Sequence, residues 1–200
     1  MVIRAYFNQQ ADTWDEVIAE KDTGKLERMA KRLDLEPGST LLDVGTGTGV
    51  FLPYLLATTG RNGQVVGLDI ADRMLFRACD KGFHGEAQYI CGDVMAVPCP
   101  DAMFDAVVCY SSFPHFQDKP RAFREVHRVL KGGGRLLICH TVSRARINEI
   151  HAGKPVVSHD LIPEAVAVRE MLFAAGFNEI RIEDGPEDYL VSARKAPLGL

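Results

Sequence analysis

A glycine-rich turn between a predicted strand and a predicted helix is the feature that most constrains this chain. Residues 40–49 read TLLDVGTGTG, a short apolar run that leads into glycine at every second position. Residues 50–59 then show the pattern of a helix. Because glycine has no Cβ, a turn of this kind lets a ligand approach the backbone closely. The sequence therefore predicts a ligand site where the first strand of an α/β sheet ends.

Strand and helix patterns alternate along the rest of the chain. Nearly continuous apolar runs, typical of parallel strands covered on both faces, predict strands at 40–44, 64–69, 86–91, 104–109 and 134–140. Helical patterns between and after them lie at 50–59, 71–81, 119–130, 143–150 and 161–176. The last two predicted strands, 178–183 and 188–194, are close enough for an antiparallel hairpin. We expect a doubly wound, Rossmann-like α/β fold with a seven-stranded, mostly parallel sheet, an antiparallel edge hairpin and helices on both faces.

Charge and composition exclude several classes of partner. The net charge is −4 and no basic appendage is present, which disfavours binding to nucleic acid or an anionic membrane. No apolar run reaches the roughly eighteen residues of a membrane span, and the first residues lack the apolar core of a signal peptide. The five cysteines form no CxxC pair, as expected for buried thiols in a reducing compartment. We expect a cytoplasmic protein, a monomer or homodimer, with a small-molecule partner.

Three details indicate which ligand the turn serves. A dinucleotide fingerprint would need glycine at position 50 or 52, where Val50 and Leu52 stand, and no lysine follows the loop as in a phosphate-binding loop. Asp43, just before the glycines, would repel a pyrophosphate but attract a cationic amino-acid portion. Asp69 ends the second strand, where a carboxylate can accept hydrogen bonds from ribose hydroxyls. An adenosine ligand with a positively charged tail satisfies all three observations.

Five motifs in this chain resemble those of the class I S-adenosylmethionine-dependent methyltransferases, in the order in which that family has them. They are LLDVGTGTG at 41–49, GLDIADRML at 67–75, CGDVMAVP at 91–98, FDAVVCYSS at 104–112 and LKGGGRL at 130–136. Together they span about residues 38–140 and resemble the small-molecule methyltransferases of the methyltransferase-domain-11 type. The resemblance implies S-adenosylmethionine as cofactor, S-adenosylhomocysteine as product, and a single domain over 1–200. Its parts would be an N-terminal helical cap (1–36), a cofactor-binding core (38–140), substrate-side helices (141–177) and C-terminal strands (178–195).

The resemblance also implies roles for individual residues. Asp43 and the backbone of the loop would bind the methionine portion, Asp69 the ribose, and Asp93 the adenine amino group. Taken singly, Asp69 and Asp93 are equally well explained as turn or helix-capping residues. The resemblance also implies cofactor contacts from Gly45, Thr46, Gly47, Gly49, Ile70, Met74, Gly92, Val94 and Cys109. Cys109 and Tyr110 would lie under the sulfonium.

The acceptor side is expected to come from three segments: the prelude with Tyr6 and Trp14, residues 111–116 after the fourth strand, and residues 140–159. Methyl transfer from a sulfonium proceeds by in-line displacement, so positioning of donor and acceptor can supply most of the acceleration. A base is needed only for an acceptor that loses a proton. The catalytic candidates are His140, His115 and Tyr110, and the substrate-binding candidates are Tyr6, Trp14, Arg144, His151 and His159.

Several alternatives remain open from the sequence. Arg144 and Arg146 indicate an anionic acceptor, unless they are ordinary surface arginines. The histidines could instead make ordinary hydrogen bonds, or bind a metal or metalloid substrate, although their spacing matches no compact zinc motif and we expect no bound metal. A non-catalytic sensor of S-adenosylmethionine would keep the same cofactor residues. Nucleic-acid methylation is disfavoured, because Tyr110-Ser111-Ser112-Phe113 replaces the Asn/Asp-Pro-Pro-aromatic signature.

Overall fold

A seven-stranded sheet forms the centre of the molecule. A computed structural model describes residues 2–17, 19–83 and 85–197; residues 1 and 18 of the predicted N-terminal cap lie outside this range. The strands are β1 Thr40–Val44, β2 Gln64–Asp69, β3 Ala87–Cys91, β4 Phe104–Tyr110, β5 Leu130–His140, β6 Phe177–Asp184 and β7 Tyr189–Lys195. Their order is β3-β2-β1-β4-β5-β7-β6, with β1 to β5 parallel and β7 antiparallel to both neighbours. The predicted fold class is confirmed.

Eight α-helices and three 3₁₀ turns surround the sheet in the described residues. The helices are α1 Val2–Gln10, α2 Trp14–Val17, α3 Thr23–Arg32, α4 Leu52–Thr59, α5 Asp72–Asp80, α6 Lys119–Val129, α7 Arg144–Ala152 and α8 Ala165–Ala174. The 3₁₀ turns are Val94–Ala96, Phe113–His115 and Pro155–Val157. None of these helices is long and apolar enough to cross a membrane.

Two element starts differ by four positions from the sequence prediction, and both differences have physical reasons. Helix α8 begins at Ala165 and not at 161, because Pro163 keeps the residue before it out of the helical region. Strand β5 begins at Leu130, four positions before the predicted 134, and its pairing with β4 shifts register between Phe104 and Ala106. An irregular strand start of this kind tolerates the glycines that make its sequence look like a loop.

Side chains on the two faces of β1 enter two separate hydrophobic clusters. Leu42 and Val44 pack in the cluster that includes residues of α6 and α8. Leu41 lies in the other cluster, with residues of α3 and α4. This alternation explains why the strand sequence is apolar without interruption.

β2 and β3 lie on one side of β1 in the sheet, and β4 and β5 lie on its other side. The carboxyl ends of β1 and β4 therefore frame the point at which the strand order reverses. Open α/β sheets bind their ligands in the crevice at this point.

Candidate functional site

A cavity of about 360 Å³ lies at the carboxyl ends of β1, β2 and β4. Its walls come from the glycine loop, the end of β2, the turn after β3, the loop after β4 and the two N-terminal helices. The cavity thus occupies the crevice that the strand order predicts, and residues of the glycine-rich turn 45–49 line it.

Gly45 and Gly47 line the cavity with backbone, and both have positive φ angles, +71° and +56°. A Cβ on Gly45 would lie 2.3 Å from the Cβ of Ser112, so only glycine allows the loops after β1 and β4 to meet. The Ser112 hydroxyl stabilises this contact between the two loops by donating a hydrogen bond of 2.6 Å to the Val44 carbonyl oxygen. Around Gly47 the nearest atom to a Cβ would be 3.9 Å away, which leaves its backbone open to a ligand.

Gly49 has a different role from the one the resemblance implies. It does not line the cavity, and a Cβ there would lie 3.0 Å from the Leu52 side chain and 3.3 Å from that of Ala78. Its glycine is explained by the close packing of this loop against Leu52 and against Ala78 of α5, which is a structural requirement.

Asp69 ties the glycine loop to the end of β2. Its Oδ2 accepts a hydrogen bond from the Gly47 N–H and its Oδ1 one from the Ala71 N–H, each over 2.8 Å. Burial raises the pKa of this carboxyl to about 6, against the opposing effect of these hydrogen bonds. Each carboxylate oxygen can accept a further hydrogen bond, so Asp69 can support the turn and bind ligand hydroxyls at the same time.

Asp43 lies behind the loop and not on the cavity wall. It is 2% exposed and accepts a hydrogen bond of 2.6 Å from the hydroxyl of Thr46, which also does not line the cavity. Burial raises the pKa of Asp43 to about 7, the Thr46 hydrogen bond opposes this shift, and the nearby charge of Asp69 adds to it. The electrostatic effect of Asp43 on a cationic ligand would therefore act through the loop.

The residues that the resemblance places around adenine all line the cavity. Ile70 and Met74 line the cavity, as do Gly92, Asp93 and Val94. Asp93 also caps the 3₁₀ turn, accepting the Met95 N–H on Oδ1 over 2.8 Å. This leaves Oδ2 for a ligand, so the turn and binding readings of Asp93 are compatible.

Cys109 and Tyr110 do not lie beneath the cavity, which corrects an expectation from the sequence. Cys109 is fully buried in the core, and burial raises the pKa of its thiol. The Tyr110 ring stacks on Phe51 at 4.4 Å, its hydroxyl is 3.2 Å from Thr141 Oγ1, and burial raises its pKa to about 12. Ser111 and Ser112, after the end of β4, line the cavity in their place.

His140 is also withdrawn from the cavity and is not suited to be a base there. It ends β5, pairs with Tyr189 of β7 and is 3% exposed. Burial, with smaller effects from His115 and His151, lowers its pKa to about 3, so the ring is neutral. Its Nε2 has no hydrogen-bond partner among the described residues.

His115 is the predicted catalytic histidine that does line the cavity. Its Nδ1 lies 2.8 Å from Asp160 Oδ2, and its ring meets Phe7 edge-on with the centroids 4.9 Å apart. His151 stands behind it, also at 4.9 Å between ring centroids, and does not line the cavity. Two distant parts of the chain, α1 and the region 151–160, thus meet at His115.

The side of the cavity formed by the N-terminal helices and the loop after β4 is mainly apolar, and it is the side at which we predict the acceptor. Trp14 lines this wall, whereas Tyr6 does not line the cavity and packs against Phe7, at 5.3 Å between centroids. Phe116, the last residue of the predicted segment 111–116, also lines it. Ile3, Met95 and Gln117 line it too, and no sequence pattern indicated them.

Arg144 and His159 lie away from the cavity, which corrects two further expectations. The Arg144 guanidinium donates to Asp184 over 2.6 Å and to Glu164 over 2.8 Å, so carboxylates of this chain already satisfy it. Arg146 pairs with Glu149 on the surface, and His159 is exposed. Within residues 2–17, 19–83 and 85–197, no group of three His, Cys, Asp or Glu side chains is placed to hold a metal ion.

Residues 42–138 match a family described as a methyltransferase domain. A ubiquinone/menaquinone biosynthesis C-methyltransferase of Teredinibacter turnerae is 37% identical over 125 residues, which is 58% of this chain and 50% of that protein. A 27-O-demethylrifamycin SV methyltransferase of Amycolatopsis mediterranei is 33% identical over 132 residues, 62% of this chain and 48% of that one. The chain spans about half the length of the curated relatives it matches.

Solved structures share the whole fold at low sequence identity. A SAM-dependent methyltransferase from Aquifex aeolicus has a TM-score of 0.74 at 24% identity, covering 96% of this chain and 97% of that one. A putative methyltransferase of Haloferax volcanii, solved with the Trm112 methyltransferase activator, has a TM-score of 0.79 at 21% identity, covering 95% and 97%. At these identities the likeness establishes the fold alone.

Proposed function

This chain belongs to the class I S-adenosylmethionine-dependent methyltransferases, and from that premise we propose that it transfers the donor's methyl group to a small, largely apolar acceptor. The observation that carries the proposal is the cavity at the sheet's reversal point, with the Gly45 and Gly47 backbone and Asp69 on its wall. The acceptor would enter from the side formed by the N-terminal helices. Residues 141–177 would support that side through His151 and Asp160.

The cavity fits S-adenosylmethionine on features of its own structure. The open backbone at Gly47 admits close approach, and Asp69 keeps acceptor capacity for ribose hydroxyls. Ile70 and Met74 offer apolar surface for adenine. The buried carboxyls of Asp43 and Asp69 favour a cationic ligand. When bound, the cofactor supplies an activated methyl group; the residues of this chain orient it and exclude water.

The acceptor wall favours an uncharged, flat molecule and not the anionic one suggested by Arg144. Phe7, Trp14 and Phe116 provide aromatic and apolar surface, and the Arg144 guanidinium is paired with Asp184 and Glu164. One relative is named as a C-methyltransferase and another as a 27-O-demethylrifamycin SV methyltransferase. The relatives therefore do not indicate which atom of the acceptor is methylated. We propose aromatic or polycyclic acceptors as the class that this wall selects.

Binding of the cationic donor should change the protonation of Asp43 and Asp69. The pKa values of Asp43 and Asp69 are raised to about 7 and about 6, so both carboxyls are partly protonated near pH 6 before binding. A cationic donor favours the charged forms and lowers both pKa values. Binding should therefore release protons, and affinity should rise as the pH increases from about 5 to 8. Isothermal titration in buffers of different ionisation enthalpy measures the release; equal binding enthalpies in all buffers would contradict it.

The activity itself is tested by the release of S-adenosylhomocysteine. We expect turnover with a pool of phenols, catechols and naphthohydroquinones, and less with carboxylate-rich, phosphorylated or metalloid acceptors. Gly45→Ala protein serves as the control that removes the donor site. Tight donor binding with no release from any pool would favour the sensor alternative over catalysis.

A further inference from the structure

We propose that Asp160 is a positioning residue that holds His115 as the general base for an acceptor that must lose a proton. The inference rests on the proposed function and names a narrower acceptor class: hydroxyl compounds and carbon acids. Asp160 comes from the connection between α7 and α8, and no sequence motif singled it out.

The contacts of Asp160 show a carboxylate with both oxygens engaged. It is 9% exposed, its Oδ2 faces His115 Nδ1 at 2.8 Å, and its Oδ1 accepts from Gln117 Nε2 at 3.2 Å. The same Gln117 amide donates to the His115 carbonyl oxygen over 3.1 Å. Gln117 thus links the backbone of the histidine to the carboxylate that faces its ring.

Asp160 is ionised at neutral pH. Burial favours the neutral acid, but the hydrogen bond from His115 and the charge of that ring when protonated, followed by the hydrogen bond from Gln117 and the charge of Lys119, hold the pKa of Asp160 below its ordinary value. A carboxylate can only accept, so the proton of a neutral His115 ring lies on Nδ1. Nε2 is then the nitrogen with a free lone pair, on a ring that lines the cavity.

The backbone that carries His115 is fixed on both sides. Lys119 Nζ donates to the carbonyl oxygens of Pro114 over 2.9 Å and Phe116 over 3.1 Å, the two neighbours of His115. A base held in this way loses little entropy when the acceptor binds, which is how positioning contributes to rate.

The other titratable groups around His115 are neutral apart from Lys119 and Asp160. His151 donates from Nδ1 to the Asp160 carbonyl oxygen over 2.5 Å, and burial lowers the pKa of its ring. His140 is neutral with a pKa of about 3. Among the described residues in contact with the ring, the carboxylate of Asp160 is therefore the group that stabilises an imidazolium at His115.

The acceptor's O–H or C–H proton moves to His115 Nε2 while the acceptor atom bonds to the methyl carbon. The carbon–sulfur bond breaks, and its electron pair stays on sulfur. The imidazolium, stabilised by Asp160, later returns the proton to water. General-base assistance of this kind is worth about 10²–10⁴-fold in rate.

The deciding experiment needs no acceptor. Nitrogen-15 NMR of the full chain with S-adenosylhomocysteine reports which ring nitrogen of His115 carries the proton. We expect Nδ1–H in the wild type and a shift toward Nε2–H in Asp160→Ala, with donor affinity retained in both. Nε2–H in the wild type, or an unchanged ring signal in Asp160→Ala, would overturn the proposal whatever the activity.

Turnover of 1,4-dihydroxynaphthalene, a flat apolar hydroxyl probe, supplies the second readout. We expect kcat to fall about 10²-fold or more in His115→Ala and to recover in part with added imidazole. Asp160→Ala should lower kcat with little change in KM, and Asp160→Glu should restore part of it. Asp101→Asn, which removes an exposed carboxylate paired with Arg128, should leave kcat unchanged. Full turnover in His115→Ala would overturn the base; no turnover in the wild type would count against the proposed function and leave the NMR result standing.

Discussion

Gly45→Ala is expected to abolish measurable binding of S-adenosylmethionine and to lower the free energy of unfolding by about 2–5 kcal/mol. The backbone at Gly45 has φ +71°, which costs an L-residue roughly 1–2 kcal/mol. The new methyl would also lie 2.3 Å from the Ser112 Cβ, a distance at which one loop must move. Overpacking of this kind costs about 1–3 kcal/mol more. Since both loops line the cavity, their displacement should weaken binding about a hundredfold or more.

Gly38→Ala provides the matched control for Gly45→Ala. Gly38 has φ +82°, but a Cβ there would meet no atom within 4 Å. The substitution therefore adds backbone strain without a clash and lies outside the cavity wall. Chemical denaturation and calorimetric titration should show a smaller loss of stability, with donor affinity unchanged. Equal losses of stability in the two variants, with normal binding in both, would show that the contact with Ser112 has no role.

Asp69→Asn is the second large effect, and it should act on binding more than on folding. The amide can accept only one of the two backbone N–H groups, and its NH₂ faces the other as a competing donor. Removing a buried charge offsets part of that loss, because burial had raised the pKa of Asp69 to about 6. We expect unfolding free energy at pH 8 to change by no more than about 2 kcal/mol. Donor affinity should fall about 10²-fold or more, as two charge-assisted hydrogen bonds to ribose are lost.

Asp80→Asn tests whether the loss of a negative charge elsewhere in the chain has the same result. Asp80 ends α5, the helix whose first turn follows Asp69, and it is not on the cavity wall. Calorimetric titration with S-adenosylmethionine should give wild-type affinity for this variant. If Asp69→Asn also bound the donor with wild-type affinity, the assignment of Asp69 to the ribose would be wrong.

The strand-end residues that line the cavity could be predicted because their signals are local in sequence. Gly45, Gly47 and Asp69 lie at strand ends, where short-range patterns define both the element and its direction. Gly49 shares the motif but serves helix packing, since spacing alone does not reveal which glycine faces a ligand and which faces a helix.

The acceptor half could be predicted only by segment. Consecutive residues at a strand end point to opposite faces, so an error of one position moves a side chain from cavity to core. Cys109 and His140 were assigned to the cavity but face the interior. Ser112 lay in the predicted segment 111–116, but no sequence pattern indicated that its hydroxyl joins two loops. The pairing of His115 with Asp160 joins residues separated by 45 positions, and only the folded chain brings them together.

The pairing of Arg144 could not be predicted for a related reason. Arg144 has the chemistry of an anion-binding residue, but its partners Glu164 and Asp184 follow it by 20 and 40 positions in sequence. Ion pairing within the chain cannot be read from a helical pattern. This pairing is one reason why we propose an apolar acceptor and not an anionic one.

The most direct test of the central claim is calorimetric titration of S-adenosylmethionine into the wild-type chain and into Gly45→Ala. We predict one saturable site with a dissociation constant in the micromolar range for the wild type, typical of enzyme ligands, and no measurable binding in the variant. Absence of saturable binding to the folded wild-type chain would contradict the assignment of this cavity to the methyl donor.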